Sequence, residues 1–81
     1  MIKLSEKSLI LLEGCLNECN PKLIPVVRDD SIDSYADEFY NDLRQCVGSV
    51  LVQKGFNKDY SVNVYGQQLE DLIDEIGRLF M

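Results

Sequence analysis

The side chains of this chain that could act on another molecule are almost all carboxylates. Asp29, Asp30, Asp33, Asp37, Glu38 and Asp42 form one group with no Lys or Arg among them, and Glu70, Asp71, Asp74 and Glu75 form a second. Paired carboxylates such as Asp33 with Asp37, or Glu70 with Asp74, can act as general acid and base only where burial raises a pKa. These positions point away from the apolar stripes described below, so solvated surface is the expectation. The chain has no histidine. That removes the commonest general base, the commonest metal ligand and every Ser-His or Cys-His nucleophile pair. No Gly-rich phosphate loop is present. Asp29, Asp30 and Asp33 lack the alternating spacing and central Gly of a calcium loop. The expectation is a protein that is not an enzyme and that holds no metal or cofactor.

Three cysteines, Cys15, Cys19 and Cys46, are the other reactive groups. An odd count argues against a disulfide framework and for a reducing, cytoplasmic setting. Cys15 and Cys19 are four apart on one side of a predicted helix. They do not form the paired loops of a zinc site, so core packing is their expected role.

Composition bounds the rest. With 81 residues, 46% apolar and 27% charged, the chain makes one domain and is too apolar for a disordered acidic tail. A net charge of −6 repels nucleic acid and anionic membranes. It attracts a basic protein, or serves solubility alone. No run approaches the roughly 18 apolar residues of a membrane span. Lys3 and Lys7 precede Leu9-Ile10-Leu11-Leu12 and Glu13-Gly14-Cys15, but four apolar residues fall short of the ~7–15 of a secretory signal.

The elements that must position these groups read as helices. Ser5 caps a first helix over about 6–19, with Leu9, Leu12, Cys15, Leu16 and Cys19 on one face. Ile10 and Leu11 widen that stripe, so the helix is expected to be covered on most sides. Asn20-Pro21 ends it. Residues 20–28 contain Leu23, Ile24, Val26 and Val27 and are expected to lie across the core as a strap or single turn. A second helix is expected from a cap at Asp29, Asp30 or Ser31. It would carry Ile32, Tyr35, Ala36, Phe39, Tyr40, Leu43, Cys46, Val47 and Val50 inward and end at Lys54. Gly48 is expected to mark close packing or a bend, and Gly55 to take the left-handed position after the helix with Phe56 over Leu51. A polar loop, Asn57 to Ser61, follows. Asn63 then caps a third helix over about 64–80, in which Leu69, Leu72, Ile73, Ile76, Leu79 and Phe80 fill an arc of roughly 120°. Glu70, Asp71, Asp74 and Glu75 lie opposite, with Arg78 close enough to neutralise part of that face. The fold class is all-α: a small antiparallel bundle of three to four helices in a single domain, 1–81.

Two resemblances give function to this frame. Asp30-Ser31-Ile32-Asp33-Ser34 resembles the Asp-Ser-Leu of acyl carrier proteins, which are also small, acidic and helical. It would make Ser31 the phosphopantetheine attachment site. The Gly-containing loop of carriers is replaced here by Pro25-Val26-Val27-Arg28-Asp29, and a helix cap is the structural role for Ser31. The run Lys54-Gly55-Phe56 to Asn63-Val64-Tyr65-Gly66-Gln67-Gln68-Leu69-Glu70-Asp71-Leu72-Ile73-Asp74 resembles immunity proteins of bacterial contact-dependent growth inhibition and polymorphic toxin systems. That resemblance implies a cytoplasmic inhibitor of a toxin encoded beside it, often a ribonuclease or deoxyribonuclease. A nuclease grips phosphates with Lys and Arg, and an acidic face can occupy such a cleft. Asp29, Asp30, Asp33, Asp37 and Glu38 are the first candidate contacts, followed by Asp71, Asp74 and Glu75. Tyr60 and Tyr65 are candidate aromatic anchors, with a staple or lid over the core as their structural alternative.

Overall fold

A computed structural model describes residues 1–80. Its order is α1 (Glu6–Cys19), a 3₁₀ turn (Pro21–Leu23), the one-turn α2 (Ile24–Val27), α3 (Asp37–Lys54) and α4 (Val64–Gly77). This is a small all-α bundle, with a radius of gyration of 12.5 Å and extents of 44 × 25 × 22 Å.

Local chemistry sets most boundaries. The Ser5 hydroxyl accepts from the Ser8 amide at the start of α1, and the Asn63 side chain accepts from the Gly66 amide at 2.6 Å to start α4. Each side-chain cap satisfies one of the free N–H groups of a helix start. Pro21 follows α1 directly and opens the 3₁₀ turn, where its fixed φ and missing N–H are tolerated.

Cross-element contacts give the directions. Ser8 bonds Glu75 at one end of α1, while Glu18 pairs with Lys54 at the other. Tyr40 stacks on Phe80 at 5.1 Å. So α1 and α3 run the same way and α4 runs opposite. The strap of residues 20–36 descends alongside α1, pinned where Arg28 reaches Glu6 and Glu13 of α1. Successive elements therefore alternate in direction. Leu9, Leu12 and Leu16 of α1, Val27 of the strap, Leu43, Val47 and Val50 of α3, and Leu69, Leu72 and Ile76 of α4 form the core. Ile2 joins them, held by its amide donating to the Val27 carbonyl at 3.0 Å.

Several expectations are corrected. α3 begins at Asp37, with Ala36 as an uncapped N-terminus, and not at Asp29, Asp30 or Ser31. The Asp29 carboxylate accepts from both the amide (2.9 Å) and hydroxyl (2.6 Å) of Ser31, closing a turn. Asp and Ser side chains that bond nearby backbone offer the chain an alternative to a helix. The Tyr35 hydroxyl donates to the Val26 carbonyl at 2.8 Å and the Met1 amine to the Ile32 carbonyl at 2.7 Å, so the connector is tied off before α3 starts. Asp29, Asp30 and Asp33 thus sit on a connector, and only the later acids of the first group are helical.

Gly55 has φ −90°, which is not left-handed. It is required for another reason: a Cβ there would meet the Leu51 carbonyl oxygen at 2.6 Å and the Gly66 Cα at 3.0 Å. A Cβ on Gly66 would meet the Gly55 carbonyl oxygen at 2.1 Å. The end of α3 and the start of α4 pass backbone against backbone. Gly48 has nothing within 4 Å of its Cβ position, so it marks no close packing. Ile10 is 58% exposed and Leu11 half-buried: that flank of α1 is not covered by the chain.

Candidate functional site

At the end of the molecule where α3 begins, Asp29, Asp30, Asp33, Asp37, Glu38 and Asp42 are all exposed. Among the described residues none of them forms an ion pair with a Lys or Arg. The side-chain cations that do pair are Arg28, with Glu6 and Glu13, and Lys54, with Glu18. All three of those glutamates lie on α1: the Arg28–Glu6 pair sits at the end where α1 and α3 begin, beside the acidic group but engaged elsewhere, and the Lys54–Glu18 pair at the opposite end. The Met1 amine is one compensating charge, acting at Asp29. It helps, after the two Ser31 hydrogen bonds, to hold the Asp29 carboxyl below the usual carboxylate range. Asp37 and Glu38 in the first turn of α3 also face the positive end of its dipole.

Aromatic rings lie beneath this pole. Tyr35 stacks on Phe39 at 4.6 Å, and both meet Tyr40 edge to face. Tyr35 and Phe39 are half-buried, and burial raises the Tyr35 phenol. The helical periodicity assigned both rings to the core. Both do pack against the core, half-buried.

The second acidic group is divided. Asp71 and Glu75 face α1 across an open groove of about 410 Å³, whose other wall carries Lys7, Ile10 and Leu11. The Ser8 hydroxyl donates to Glu75 across its floor at 2.8 Å. Asp74 instead lines a depression with Arg44 and Arg78 between α3 and α4. Glu70 is half-buried.

The two tyrosines part company. Tyr65 packs against the core, its phenol raised first by burial and then by the neighbouring Cys15. Tyr60 is 87% exposed and sits at φ 70°, a conformation in which a bulky residue is an outlier. Its loop is closed by an isolated Phe56–Val62 bridge and by the Asp59 carboxylate, which accepts from the Ser61 amide and hydroxyl. Val52, Phe56, Val62 and Val64 are also exposed at this end of the chain's α3–α4 connection. The valines at helix positions outside the buried stripes were the sequence signal for this apolar loop. The 18 residues of α3, at about 1.5 Å each, set Tyr60 some 27 Å from the acidic pole, so the structure does not bring the two together.

Ser31 is exposed, and its hydroxyl is bonded to Asp29. It does not open a helix, the placement on which the carrier resemblance relies. Cys15 and Cys46 are buried, whereas Cys19, expected on the same packed face, is exposed because it is the last residue of α1, and all three are free thiols. Burial pushes the Cys15 thiol up to about 11. Cys46 is raised as well, by burial first and then by its contact with Cys19. Among the described residues no cluster of three or more candidate ligands is placed to hold a metal ion, and no helix is long and apolar enough to cross a membrane. Compared with protein-family models, curated proteins and solved structures, the chain gives no significant match.

Proposed function

We propose that this protein is an immunity-type inhibitor. It docks its acidic pole on a basic protein toxin, a ribonuclease or deoxyribonuclease, and covers the phosphate-binding cleft. The observation that carries this reading is the set of exposed carboxylates from Asp29 to Asp42, left without ion pairs among the described residues while Arg28 and Lys54 are engaged on α1. Carboxylates without ion-pair partners at one end of an elongated molecule contribute a field that steers a cationic partner. The half-buried Tyr35 and Phe39 beside it supply rigid apolar contact, which long-range charge alone does not. The resemblance of the Lys54–Asp74 run to immunity proteins supports the same reading.

The test is direct. The partner this reading names, a basic nuclease from the neighbouring reading frame, is assayed for nucleic-acid cleavage with increasing amounts of this protein. Stoichiometric loss of cleavage and a complex that weakens with salt are expected. No inhibition and no complex at any salt concentration would reject the proposal.

A further inference from the structure

Helix α1 carries more apolar surface than its own chain covers. Its stripe through Leu9, Leu12 and Leu16 is fully buried, yet Ile10 and Leu11 on the adjoining flank are exposed and half-buried. They form one wall of the groove whose other wall is Leu72 with Asp71 and Glu75. The groove lies between two helices of opposite direction, and α1 meets α4 over a shorter seam than it meets α3. A further helix laid there would complete the packing around α1, as amphipathic helices do in apolar grooves.

The charge of the walls selects the occupant. The α4 wall presents Asp71 and Glu75, and the α1 wall a single cation, Lys7. The whole chain carries −6, which repels a second copy and attracts a cationic segment. We infer that this groove receives an amphipathic helix of the protein partner, its apolar face on Ile10 and Leu11 above the buried Leu72 and its Lys or Arg side chains along Asp71 and Glu75. This rests on the proposed function for the partner's basic character but names a second contact, separate from the acidic pole.

The probe is a peptide of about 18 residues, long enough to be helical in water, with Leu along one face and Lys along the other. A Glu-for-Lys peptide is the control. Methyl and amide NMR spectra of the full chain are recorded during titration. The expected result is saturable shifts at Ile10, Leu11 and Leu72 with the Lys peptide, and none with the Glu peptide. Ile10→Asp, at an exposed position that the fold tolerates, should weaken binding about tenfold or more, and Asp71→Lys should do likewise. Shifts confined to residues 29–42, unaffected by Ile10→Asp, would overturn the groove while leaving the acidic pole standing. Absence of shifts anywhere would count against both. Dimerisation of the free chain that Ile10→Asp abolishes would overturn the inference in favour of a second copy.

Discussion

Asp29 with Ser31 and Asp59 with Ser61 build the same turn twice, each carboxylate accepting from the serine amide and hydroxyl two residues on. These bonds favour the ionised form, so both carboxyls lie below their ordinary 3.8. A depressed native pKa means the turns are fully supported above the ordinary value and lose that support as pH falls through the native one. Amide shifts of Ser31 and Ser61, followed by NMR from pH 5 downward, are expected to move only below about pH 4. Tyr60 gives a second residue-scale outcome. At φ 70° and with its ring in solvent, it gains little from the fold and loses to backbone strain. Tyr60→Gly should raise unfolding stability by about 0.5–1 kcal/mol in denaturant melts. The thiols give a third. Cys19 is open while Cys15 and Cys46 are buried with raised pKa values, and the thiolate is the reactive form. Iodoacetamide at about pH 8 should modify Cys19 alone in the native protein, and all three residues only after unfolding, as read by peptide mass spectrometry.

The helix junctions show how a small bundle fixes its geometry. Gly55 and Gly66 let the end of α3 and the start of α4 touch, with a Cβ on Gly66 falling 2.1 Å from a backbone oxygen that has no side-chain freedom to move. Gly66→Ala should cost about 2–3 kcal/mol, the range of overpacked cores. Gly48→Ala, with open space around it, should instead stabilise by about 0.5–1 kcal/mol through helix propensity. Thermal unfolding of both variants checks the contrast. This pair also explains what the sequence could reveal. The caps Ser5 and Asn63, the stripe of α4 and that of α1 as far as Leu16 were legible, because they rest on local hydrogen bonds and a 3.6-residue period. Gly55 could be recognised as a helix end but not as half of a crossing, since its partner Gly66 is eleven residues on. The start of α3 was misread because Ile32, Tyr35 and Ala36 continue the helical period, while a turn at Asp29 and a bond from Tyr35 to Val26 override it. Ile10 was misjudged because periodicity states which residues are apolar, not whether the chain has a surface to cover them.

At the scale of the molecule, charge separation is the organising feature. The acidic groups were visible in the sequence, but their relation in space was not. One group lies whole at the pole where α3 begins, the other is split between two grooves, and Tyr60 lies at the far end of α3. Glu6 and Glu13 of α1 engage Arg28, the cation adjacent to Asp29, and Glu18 engages Lys54 at the opposite end, so neither forms an ion pair with the acidic pole. A docking surface of this kind acts mainly on the rate of encounter, and its effect fades as salt shortens the Debye length. The most direct measurement is therefore the association rate constant with the proposed basic toxin, taken from about 20 to 500 mM salt, for the natural chain and for a variant carrying Asp33→Asn, Asp37→Asn and Glu38→Gln. The natural chain should associate at least about tenfold faster at low salt, and the two curves should converge at high salt. Equal rates with equal salt slopes would contradict docking through the acidic pole.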